Sequence, residues 1–226
     1  MGVLNTAMHA QVHQLTSPLA LHDQWEHAPW RDLPAQVLAH HMGSRPQPCP
    51  EVALKIGYSQ RALYLLFRVQ DQSVRARARK HQDPVWEDSC VEFFFTPGPN
   101  CSLGYFNLEM NCGGTMLFHF QARPRSERTI IPLELCERIT TVHSLPPRVM
   151  PEITAPLSWT LAYRLPLELL SPYCPVVRPA PGVHWRGNFY KCGDKTSLPH
   201  WLTWAPINGP RPDFHRPDAF GSLHFL

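Results

Sequence analysis

The chain has 226 residues, 43% hydrophobic and only 17% charged, a balance that excludes a disordered polypeptide. A formal net charge of +3 is too small to mark a nucleic-acid partner, and no apolar run approaches the length of a membrane span. Seven cysteines, an odd number with no C-x-x-C, exclude a disulfide framework and a zinc ribbon alike.

Residues 1–50 read as an irregular leading segment with one or two strands; residues 51–226 read as the core of a single domain. The first 25 residues lack the basic head and apolar centre of a signal peptide, so the chain as written is cytoplasmic. A start downstream of a genuine signal would instead make it secreted or periplasmic. In residues 52–58, Val52, Leu54 and Ile56 alternate. In residues 62–69, Leu63, Leu65, Phe67 and Val69 do the same across a short Ser59-Gln60-Arg61 link, which predicts a hairpin. Arg75, Arg77, Arg79 and Lys80 then form a basic run whose first members alternate, as on a solvated strand face.

The next segment, 83–95, sets Trp86 just before a strand. In extended backbone Trp86, Asp88, Cys90 and Glu92 point one way, and Val91, Phe93 and Phe95 the other. Residues 105–112 alternate strictly: Phe106, Leu108, Met110 and Cys112 share one face, and Tyr105, Asn107, Glu109 and Asn111 the other. Gly113-Gly114 then signals a hairpin into a returning strand at 115–120. Residues 121–150 are charged, Pro-rich connections, 159–165 alternate again, and 167–170 form the one helix-like stretch. The last quarter is less regular: it holds the aromatic segment 185–192, a Pro-bounded loop or short strand at 200–206, and a closing strand at 221–225. The 25 prolines fall between the apolar runs, as befits short strands joined by loops. The fold predicted is all-β, a single antiparallel β-sandwich with long loops.

An aromatic plate beside a carboxylate suits a sugar, because the indole covers the apolar C–H face of a pyranose and the carboxylate accepts from its hydroxyls. Trp86 with Glu92 supplies that pair, and the polar face of Asn107, Glu109 and Asn111 supplies further partners if the two strands are neighbours. A second tryptophan opposite Trp86, either Trp201 or Trp204, would close an aromatic slot. Glu92 and Glu109 are also the two carboxyl groups a glycoside hydrolase would need. A structural or interaction protein that had lost the site would bury Trp86 under its own chain. His184, His200 and His215 lie in loop-like segments without a compact metal spacing. Calcium, bound by loop aspartates such as Asp71, Asp83, Asp194 or Asp213, is the cofactor the residues leave open. There is no nucleotide or nucleophile-elbow fingerprint.

Three segments, 86–94, 105–115 and 214–225, occur together and in order. Through them the chain resembles carbohydrate-binding module family 9, in its stand-alone family 9-like branch, from about residue 50 to the end. The resemblance implies a β-sandwich that binds a mono- or oligosaccharide without catalysis, with no nucleic-acid or membrane partner and no implied oligomeric state. It makes Trp86 one stacking plate, Glu92 a hydroxyl partner, Trp204 the second plate with Trp201 as the fallback, and Asn188 a substitute for the family's binding asparagine. It also implies structural calcium.

Overall fold

In the computed structural model, which describes residues 8–15 and 20–226, the alternating runs become the strands of two packed sheets. Residues 1–7 and 16–19, part of the leading segment expected to be irregular, lie outside that description. In chain order the strands are β1 (His9–Gln14), β2 (Ala35–Val37), β3 (His40–His41), β4 (Glu51–Tyr58), β5 (Ala62–Asp71), β6 (Val74–Ala76), β7 (Cys90–Thr96) and β8 (Tyr105–Asn111). They continue with β9 (Met116–Arg123), β10 (Glu127–Ile130), β11 (Thr140–His143), β12 (Val149–Ile153), β13 (Leu157–Pro166), β14 (His184–Cys192), β15 (Trp201–Thr203) and β16 (Gly221–Phe225). The helix-like stretch at 167–170 is a 3-10 turn, Leu167–Leu169, and one short helix that was not expected, α1, spans Leu133–Cys136.

The first sheet runs β10-β9-β8-β7-β14-β16-β1, and the second runs β1-β4-β5-β13-β11 with β2 also paired to β4. The joining strand is β1. Its residues His9 to Val12 pair with β16 and its residues His13 and Gln14 with β4, both in parallel, whereas every other paired neighbour is antiparallel. A strand that changes sheets in this way closes one side of the sandwich and leaves no free edge there. The core therefore begins within the leading segment, well before residue 51.

The inward faces follow the alternation seen in the sequence. Val91, Phe93 and Phe95 of β7, with Phe106, Leu108 and Met110 of β8, meet Ile56, Leu65, Phe67 and Leu161 of the second sheet in one buried cluster. Each such side chain contributes about 1.5–3 kcal/mol by leaving water. Both outer faces are partly covered as well. Trp25 and Trp30 of the leading segment lie over Tyr64 and Leu66. Phe214 and Phe220, near the C-terminus, lie over Phe94, Tyr105 and Tyr190 on the outer face of the first sheet. That second cover is incomplete, and the gap it leaves is the cleft described next.

Candidate binding cleft

Three neighbouring strands of the first sheet turn polar side chains outward at the same level. The parity that sends Phe93 and Phe95 inward turns Glu92 and Phe94 outward on β7; Asn107 and Glu109 do the same on β8, and Leu117, His119 and Gln121 on β9. Register sets Glu92 directly opposite Glu109, and Asn107 opposite both Phe94 and His119. The loop through Pro212 walls one side: Phe214 stacks on Tyr190 at 4.2 Å between ring centres, and His215 Nδ1 shares a 2.7 Å hydrogen bond with the Tyr105 hydroxyl. The enclosed cleft has a volume of about 320 Å³.

Two tryptophans line the other side, and one residue braces both. Trp86 lies on the 3-10 turn Val85–Glu87 rather than on an extended strand, and is 37% exposed. The Asp194 backbone N–H donates to the Trp86 carbonyl at 3.1 Å, while the Asp194 carboxylate accepts from Trp201 Nε1 at 2.8 Å. Asp88, expected to share a face with Trp86 and Glu92, instead anchors this turn from below. Its Oδ2 accepts from the Arg77 and Ala78 backbone and from Asn111 Nδ2, and its Oδ1 pairs with Arg75 at 3.2 Å. The basic run is thus folded against the turn and leaves Trp86 free above it.

The polar floor is buried and incompletely paired. Asn107 Nδ2 donates to Glu109 Oε1 at 2.9 Å, and Gln121 Nε2 donates to Asn107 Oδ1 at 3.2 Å. Glu109 Oε2 and Gln121 Oε1 have no partner although the two residues are only 5% and 2% exposed. Burial raises the Glu109 carboxyl to about 7, against the opposing pull of the Asn107 hydrogen bond. It also raises Glu92 well above the usual carboxylate range, helped by the neighbouring Cys192 and Glu109. Burial lowers His119 and His215 to about 4, so both imidazoles are neutral at pH 7. Arg125, bound to Asp213 at 2.7 Å, and Arg128 stand at the rim. The cleft thus offers two indole side chains, several hydrogen-bonding groups and neutral imidazoles, a set suited to an uncharged, polyhydroxylated ligand.

Of the residues singled out in the sequence, Trp86, Glu92, Asn107 and Glu109 share this cleft. Two do not reach it. Trp204 is 1% exposed and packs edge-on against Phe189 in the inter-sheet core, so no ligand can stack on it. Asn188 lies on the correct face of β14 but is turned to the backbone: Oδ1 accepts from the Ala205 N–H at 2.8 Å and the Phe189 N–H at 2.9 Å, and Nδ2 donates to the Ala205 carbonyl at 3.0 Å. The fallback, Trp201, is the second tryptophan of the cleft. His119, Gln121 and Arg125 were missed. The first two continue the alternation of β9 beside β8, a signal the hairpin already carried.

The candidate metal ligands stay apart. Asp71 pairs with Lys191, Asp83 accepts from the Arg79 and Lys80 backbone, Asp194 holds Trp201, and Asp213 holds Arg125. His200 bonds to Lys191, His215 to Tyr105, and His184 packs against His224. Among the described residues, the one group of three or more metal-ligating side chains is Cys90, Glu92 and Cys192.

A two-sheet sandwich with a tryptophan-lined, carboxylate-floored cleft on its outer face has the architecture of a small-ligand binding module. The chain belongs to carbohydrate-binding family 9, whose pattern matches residues 32–225. It is 31% identical to a candidate carbohydrate-binding protein from Bacteroides uniformis ATCC 8492, with a TM-score of 0.86 over 98% of this chain and 100% of that one. Two structures of a carbohydrate-binding module family 9 protein from Caldicellulosiruptor kristjanssonii share the fold, each with a TM-score of 0.62. The complex with glucose is 13% identical, covering 97% of this chain and 96% of that one; the complex with cellotriose is 14% identical, covering 96% and 93%. No curated protein matches the chain.

Proposed function

We propose that the cleft binds a mono- or oligosaccharide without catalysis, stacking a pyranose ring on Trp86 with Trp201 as the second tryptophan of the same wall. Glu92, Asn107 and Glu109 provide hydroxyl partners, joined by Gln121. The observation that carries this reading is the pair of orphan acceptors, Glu109 Oε2 and Gln121 Oε1, in the floor of an open cleft. Buried acceptors are ordinarily paired, and a sugar hydroxyl is a donor of the right size to complete them. The family 9 relatives that hold glucose and cellotriose support the same ligand class. The exposure of Trp86 counts against a protein that has lost its site.

The direct opposition of Glu92 and Glu109 is the observation that favours a glycoside hydrolase. Against it, both carboxyl groups rise from adjacent strands of one sheet, whereas hydrolysis places its acid and its base or nucleophile on either side of the scissile bond. Calorimetry with glucose, cellotriose and a broad sugar panel tests the binding reading. Affinity is expected in the micromolar to millimolar range, with Trp86→Ala weakening it by about 5- to 30-fold, on the order of 1–2 kcal/mol. No heat with any sugar would sink the proposal. Turnover of a chromogenic glycoside, abolished by Glu92→Gln, would replace it with the hydrolase.

A further inference from the structure

We infer that Cys90, Glu92 and Cys192 form a binding site for a thiophilic divalent cation, Zn²⁺ or Cd²⁺, in the floor of the cleft. The three residues come together by register. Cys192 of β14 stands directly opposite Cys90 of β7, and Glu92 follows Cys90 by two positions on the same face. Their ligand atoms all lie within 4.8 Å of one another, with the Cys192 thiol donating to Glu92 Oε1 at 3.0 Å. Tetrahedral zinc with Zn–S near 2.3 Å and Zn–O near 2.1 Å needs sulfur and oxygen ligands about 3.6–3.8 Å apart. The thiol–carboxyl contact must open by roughly half an ångström to meet that requirement, and the other ligand pairs lie within 4.8 Å.

All three groups are buried. The buried cation nearest in sequence, Lys191, is turned to the opposite face and engaged by Asp71 and His200. A dication held by two thiolates and a carboxylate supplies the positive charge that the cluster itself lacks. Glu92 and Cys192 line the cleft, which gives the ion a path in. Three protein ligands and one open position define a site that can also accept a water or a ligand oxygen.

The site stands on β7 and β14 alone and does not rest on the sugar reading; sugar binding by metal-free protein is measured separately. The test titrates the reduced, metal-free full chain with Cd²⁺ and follows the ultraviolet thiolate-to-cadmium band, with cadmium NMR to count the sulfur ligands. One equivalent is expected to bind with two thiolates. Affinity should rise with pH as the ligand protons are displaced. Cys90→Ser and Cys192→Ser should each abolish the two-thiolate signature, and Cys49→Ser and Cys101→Ser should keep it. The wild-type spectra decide the matter even if a core variant fails to fold. No band in the wild type, a band carried by Cys49 or Cys101, or a protein that yields only a Cys90–Cys192 disulfide and takes up no metal when reduced would each overturn the proposal.

Discussion

Trp201 and Trp204 lie three residues apart, and their replacement by alanine should produce opposite phenotypes. Trp204 is enclosed between the sheets, edge-on to Phe189 at 5.5 Å, with its ring so close to Gly221 that an added Cβ there would come within 2.4 Å of it. Removing a fully enclosed indole leaves a cavity and costs about 3–5 kcal/mol. For a chain of this length each kcal/mol shifts Tm by about 2–4 °C, so Trp204→Ala should melt roughly 6–20 °C lower. Trp201 is half-buried at the cleft, and its indole N–H makes the 2.8 Å bond to Asp194. Losing that bond costs about 1 kcal/mol, hence only ~2–4 °C. Losing the stacking wall should weaken sugar binding by about 5- to 30-fold, as for Trp86. Differential scanning calorimetry and titration with cellotriose separate the two effects. A Trp204→Ala protein with unchanged Tm and lost binding, or a Trp201→Ala protein that binds as tightly as the wild type, would refute the assignment of the cleft wall.

Two further outcomes concern buried charge. Lys191 Nζ, fully enclosed, lies 3.0 Å from Asp71 Oδ2 and also reaches the Cys192 carbonyl and His200. Lys191→Met strands the carboxylate and should cost about 3–5 kcal/mol in urea denaturation, much of it recovered in the Lys191→Met/Asp71→Leu double variant. For Glu109, whose folded pKa is raised to about 7, the protonated form is favoured in the native state. The associated stability is full below the unfolded value of about 4.3 and disappears as pH rises through 7. Glu109→Gln lacks this penalty, so its stability relative to wild type should improve by on the order of 3 kcal/mol between pH 4 and pH 8. A relative stability that is flat across that window would show that Glu109 ionises freely.

The legible parts of this fold are those where one strand's own alternation decides the outcome. Every second residue of β7 and β8 is large and apolar, so their inward and outward faces could be assigned without knowing their partners. The joining strand β1 was opaque because only Ala10 and Val12 of its six residues are apolar; its place depends on β16, more than 200 residues away in sequence. The second wall tryptophan was misassigned although a local signal existed. Leu202 and Trp204 share parity, and both are core; Trp201 and Thr203 take the other face. Asn188 shows where parity stops being sufficient. It faces the same way as Glu92, yet the backbone of Ala205 and Phe189 engages its amide, a fact set by how β15 leaves β14.

Orphan polar atoms by themselves do not locate a site in this protein. Trp159 Nε1, Tyr163 Oη and Thr203 Oγ1 are buried without partners too. What separates Glu109 Oε2 and Gln121 Oε1 is that they line a space large enough to admit a ligand, with indole faces beside them. An unpaired group deep in a core is a local cost that the rest of the fold absorbs. An unpaired acceptor at the floor of an open cleft is a cost that a ligand can remove, and removal of that cost adds to binding what a solvated surface carboxylate cannot supply. On the proposed function, the polar outer face of β8 is a binding floor held partly unsatisfied rather than a strand face that happens to meet water.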